Sequence, residues 1–70
     1  MMPLTMAGSG EESTIKRVGG KEEIRPFLAT LGFVPGAHVS VITEINGNVI
    51  VSIKESRVAI SREMAAKIMI

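Results

Sequence analysis

The chain has no cysteine, tryptophan, tyrosine or aspartate, and a single histidine, His38. Without cysteine, disulfides and thiolate metal sites are excluded. Serines are present, but no serine elbow surrounds one of them, and nothing marks an acid that would orient His38 as a base. Gly19-Gly20 is not followed by Lys-Ser or Lys-Thr, so it does not form a phosphate loop. The inventory therefore argues against an enzyme. No apolar run approaches the roughly 20 residues a membrane helix needs. The first residues lack the basic-then-apolar signature of a secretory signal, and a cytoplasmic location is the expectation. Net charge is only +1, with 8 basic and 7 acidic residues mixed along the sequence. That is not the footprint of a protein that lives on nucleic acid or anionic lipid. Lys16, Arg17, Lys54, Arg57 and Arg62 are read as parts of a solvated, mixed-charge surface.

What remains is aliphatic: 46% of the 70 residues are hydrophobic, mostly Val, Ile, Leu, Met and Ala. This length allows one domain, and such a domain buries only about 60% of its unfolded surface, so its stability margin is thin. Residues 1–12 read as a lead-in, partly flexible, with a loop at Gly8-Ser9-Gly10 and with Leu4 and Met6 as anchors to the core. The domain proper is expected over residues 13–70. Its first strand is expected at Ser13 to Val18, ended by Gly19-Gly20.

A helix should follow. Ile24, Phe27, Leu28 and Leu31 recur at i, i+3, i+4 and i+7, the spacing of one helix face, and are read as core. Pro26 must lie in the first turn, because deeper in a helix its ring clashes and a hydrogen bond is lost. Regular helix therefore starts near Glu22 to Arg25. Gly32 ends it, and with Leu31 as C-cap, Phe33 can pack back on Leu28. Pro35-Gly36 suits the centre of a type II turn.

Strands are expected next at His38 to Glu44, with Val39, Val41 and Thr43 on one face, and over Val49 to Ile53. Asn46-Gly47 between them is a type I′ hairpin signal. After a turn at Lys54-Glu55-Ser56 comes a strand at Arg57 to Ser61. Ser61 then caps a helical turn reaching Lys67, and Ile68-Met69-Ile70 forms a last strand that can close a barrel. The reading is an all-β fold, a small β-barrel of SH3-like type, with one inserted α-helix and a short helical turn before the last strand. Closure hides strand edges that a short apolar chain would otherwise expose.

This order of elements resembles the FeoA family. Ile15-Lys16-Arg17-Val18-Gly19-Gly20 is similar to its first strand and exit. Leu28 with Leu31-Gly32-Phe33 and Pro35-Gly36 is similar to its helix and following turn, and Val39-Ser40-Val41-Ile42 to the next strand. Arg57-Val58-Ala59-Ile60-Ser61 and Ala65-Ala66-Lys67-Ile68 resemble its closing segments. Two features depart from the family pattern: Glu55 stands where glycine is common, and the loop at Asn46-Gly47 is short. The same domain resembles the carboxyl-terminal module of metal-dependent repressors, but this chain has no room for their helix-turn-helix domain.

The resemblance implies a non-enzymatic accessory protein of ferrous iron transport that docks on the cytoplasmic part of the FeoB transporter, reaching the membrane only through that partner. Candidate partner-binding residues are Arg25, Phe33, Val34, Pro35, His38 and Arg57. No cofactor is expected. Transition-metal binding at the family level singles out His38, read as a weak ligand at most, since no second histidine stands near it in sequence. A weak homodimer remains open. The alternative reading is a small nucleic-acid-binding barrel or a detached regulatory module of a metal-dependent repressor.

Overall fold

A computed structural model describes all of residues 1–70. Six strands and two helices form two sheets around one core. The strands are β1 (Glu12–Thr14), β2 (Arg17–Val18), β3 (His38–Ile45), β4 (Asn48–Ile53), β5 (Ser56–Ser61) and β6 (Ile68–Met69); the helices are α1 (Ile24–Thr30) and α2 (Arg62–Ala65). The larger sheet is antiparallel, in the order β1-β3-β4-β5, and the smaller pairs β2 with β6. The mostly β, SH3-like expectation therefore holds.

The expected first strand is divided. Its middle serves both sheets: the Ile15 N–H donates to the Ala37 carbonyl, and the Lys16 N–H to the Met69 carbonyl, both at 2.8 Å. Ile15 itself is buried at this crossing. The lead-in is also tied down. Met2 and Ile70 exchange backbone hydrogen bonds at 3.0 and 2.8 Å, Pro3 bridges to Met69, and Leu4 is fully buried in a 3-10 turn. Met6, the other expected anchor, is exposed.

The core consists of aliphatic side chains and Phe33. Val39 and Val41 from β3, Val49, Val51 and Ile53 from β4, and Ile60 from β5 join Leu4, Ile15, Leu28, Ala65, Ile68 and Ile70. No buried side-chain polar atom lacks a partner. Thr43 does not join them, although strict alternation from Val41 would place it there. The β3–β4 register slips between Val41 and Thr43, so that Val41 faces Val51 but Thr43 faces Ile50. Ile42 is the extra residue of a β-bulge, and one extra residue moves everything beyond it to the other face.

Helix α1 stops as anticipated. Leu31 is its C-cap, and Gly32 holds φ +102°. The Phe33 N–H donates to the Leu28 carbonyl and the Gly32 N–H to that of Ala29, each at 3.0 Å; these two bonds define a Schellman stop. The next turn follows directly, with the Ala37 N–H donating to the Val34 carbonyl at 3.0 Å and Gly36 at φ +92°. Asn46 and Gly47 both have positive φ, as a type I′ hairpin requires. Ser61 caps α2 by accepting from the Met64 N–H at 3.2 Å.

Candidate functional site

Helix α1 has two turns, and its buried arc centres on Leu28, with Ile24 and Leu31 half-buried. Successive helical residues point about 100° apart, which turns Phe27 to the edge of this arc. The residue is 49% exposed. Phe27 is therefore not a core residue, although its spacing from Leu31 suggested one. It lies one turn before Leu31 on the same flank, and the chain leads from there through the Schellman stop to Val34 and Pro35, both exposed. Phe27 on α1 and Val34 and Pro35 on the turn that follows it are the apolar residues that this part of the chain leaves to solvent.

The six candidate residues separate into distinct places. Phe33 is withdrawn from solvent, at 1% exposure, because the same backbone bond that ends the helix turns its ring inward; it cannot offer its side chain to a partner. Val34 and Pro35 stand on the exposed turn. Arg25 lies on the solvent side of α1, where it lines a shallow, open depression with Glu22, Pro26 and Ala29. It is two residues from Phe27 and so points to the other flank of the helix. His38 and Arg57 belong to the outward face of the larger sheet. There Glu12 pairs with Ser40, Ser40 with Ser52 and Ser52 with Arg57, in one row across four strands. His38 stands beside that row, opposite Thr14.

His38 is the only imidazole, and its surroundings decide its metal chemistry. Its Nδ1 lies 3.4 Å from the Thr14 hydroxyl oxygen and 4.0 Å from Glu12 Oε1. His38 and Glu12 are both well exposed. No group of three or more histidine or carboxylate side chains is placed to hold an ion. Among the basic residues, Arg62 is committed: its Nη1 donates to Glu44 Oε1 at 2.6 Å, tying the start of α2 to the end of β3.

The structure thus defines a class: a small, mostly β, SH3-like domain with exposed apolar residues at Phe27, Val34 and Pro35 and a mixed polar face on its larger sheet. The model of the FeoA domain matches residues 2–70, and the chain belongs to that family. A protein of Methanocaldococcus jannaschii with the provisional name Fe(2+) transport protein A is 39% identical over all 70 residues, covering 85% of that relative. A crystal structure described as the iron uptake regulatory protein FeoA superposes with a TM-score of 0.88 at 29% identity, covering 97% of this chain and 90% of that one. The zinc-complexed FeoA of Stenotrophomonas maltophilia, described as an SH3 domain protein, gives 0.84 at 20% identity, covering 99% and 88%. The IdeR protein of T. acidophilum shares the fold, with a TM-score of 0.84 at 24% identity, but this chain spans only 32% of it.

Proposed function

We propose that this chain is a non-enzymatic accessory protein of ferrous iron transport, which docks on the cytoplasmic part of a FeoB-type transporter and modulates it. Membership of the FeoA family over nearly the full chain carries this reading, and the name of the M. jannaschii relative points the same way. No helix is long and apolar enough to cross a membrane, so a role at a transporter calls for docking to it. A docked domain alters its partner only by binding one state of it better than another.

The exposed apolar residues Phe27, Val34 and Pro35 are the ones we assign to that contact, with Arg25, His38 and Arg57 as outlying polar contributors. An aromatic side chain in such a place is the usual energetic centre of a contact. The decisive experiment is a calorimetric titration of the cytoplasmic domain of the matching transporter in each nucleotide state. Binding that differs between states is expected; absence of binding in every state overturns the reading. The repressor-module alternative rests on likeness of fold alone.

Iron enters this reading as cargo of the partner. Any divalent ion held by the isolated chain is bound weakly, with His38 and Glu12 as the donors. Calorimetry with Fe²⁺ should give an affinity no tighter than about micromolar, the level two solvated donors support. A sub-micromolar site that disappears in His38→Ala would contradict this.

A further inference from the structure

Three strand edges of this barrel are protected and one is not. β1 is three residues long and begins with the acid Glu12, preceded by Glu11. β2 and β6 have two residues each, and the Pro3 bridge covers the far side of β6. Shortness, charge and proline are the usual ways of blunting an edge. β5 is neither short nor covered by a proline. It runs six residues, Ser56 to Ser61, pairs only with β4, and keeps a regular register throughout. It contains no proline and no lysine, and its one charge is Arg57.

The register shows which backbone groups face outward. Ile53 and Ser56 flank a two-residue loop, so they form a hydrogen-bonded pair, and such pairs alternate along an antiparallel ladder. Val51 with Val58 and Val49 with Ile60 are then also hydrogen-bonded. Arg57, Ala59 and Ser61 direct their N–H and C=O groups away from β4. No backbone hydrogen bond outside the ladder uses an N–H or C=O of residues 56–60, and no side chain bonds to one. Arg57 and Ala59 are both exposed.

We propose that β5 is a self-association edge: two copies of the chain pair their β5 strands antiparallel across a two-fold axis at Ala59. In this register Ala59 meets Ala59 of the second copy, Val58 meets its Ile60, and Arg57 meets its Ser61. On the exposed face only the small Ala59 side chain lies on the axis, Arg57 and Ser61 flank it there, and the like charges of the two Arg57 side chains are kept apart. Self-complementarity of this kind is what a two-fold contact needs, and it selects a second copy over an unrelated strand. The contact is small, well below the roughly 1,200 Å² of a stable complex, so the dimer forms at about millimolar protein.

The test uses the full chain. Amide exchange of Arg57 and Ala59 should slow by about tenfold between dilute and millimolar protein, while Val58 and Ile60, already bonded to β4, stay protected throughout. Ala59→Cys introduces the only thiol. Its Cα would lie about 5.5 Å from its copy, within disulfide range, so this variant should oxidise to a covalent dimer about tenfold faster than Arg57→Cys. Ala59→Pro removes a donor that β4 does not use; it should keep the fold and abolish concentration-dependent sedimentation. The proposal is overturned by exchange independent of concentration, by equal oxidation of the two cysteine variants, or by self-association that survives in a folded Ala59→Pro. Should that last variant not fold, exchange and oxidation decide.

Discussion

At the scale of single residues, Gly32 shows how one backbone angle organises its surroundings. Its φ of +102° lets two successive N–H groups reach back to Leu28 and Ala29, and that reach turns Phe33 into the core. A Cβ here would also stand 3.3 Å from Lys54 Cδ. Gly32→Ala should therefore cost about 1–2 kcal/mol, mostly from the left-handed backbone, and lower the melting temperature by about 4–8 °C per kcal/mol. Calorimetric melting reads this directly. Glu55 is the converse case. Lys54 and Glu55 adopt φ of +50° and +65° without being glycine. Glu55→Gly relieves one of these angles and should raise stability by about 0.5–1 kcal/mol despite the freer unfolded chain. A urea titration showing the variant weaker than the parent would refute the account.

At the scale of elements, Ser61 joins β5 to α2. Its hydroxyl accepts the Met64 N–H at the head of a helix only four residues long. Such a helix has little intrinsic stability, so Ser61→Ala should cost about 1 kcal/mol, measurable as a lower urea midpoint with an unchanged slope. Much of this level was legible beforehand. The Gly32 stop, the Pro35-Gly36 and Asn46-Gly47 turns, the Ser61 cap and the Val49–Val51–Ile53 face each rest on local chemistry that a short window contains. The misreadings have non-local causes. Nothing in Ser13 to Val18 says that Ile15 and Lys16 bond to different sheets, because the choice lies in Ala37 and Met69. The bulge at Ile42 is decided by pairing with β4, and it carried Thr43 off the expected face. Phe27 has core spacing, but a two-turn helix buries only the arc around Leu28. Of the candidate residues, the exposure of Val34 and Pro35 on the turn follows from local chemistry, while the burial of Phe33 and the exposure of Phe27 required knowing which ring the Schellman stop turns inward.

At the scale of the whole molecule, the exposed apolar residues after α1 and the β5 backbone edge answer to separate tests. Phe27→Ala should leave melting within about 1 kcal/mol of the parent, since the residue is already half-exposed. It should weaken docking on the transporter's cytoplasmic domain by about tenfold or more if the ring is a contact centre. The same variant should leave β5 exchange untouched. A large drop in melting temperature with docking affinity unchanged would return Phe27 to the core and remove it from the interface.

The reciprocal bonds between Met2 and Ile70 place the two ends of the chain side by side. The pairing of β2 with β6 joins residues about fifty positions apart in sequence, the kind of contact that slows folding because a long loop must close first. Joining Ile70 to Met1 through a short glycine-rich linker, and opening the exposed loop at Ser9, would give a circular permutant in which β6 and the Met2–Pro3 segment become a local hairpin. The same barrel would then be reached by a different order of events, with its C-terminal strand gaining a neighbour early instead of waiting for the ends to meet.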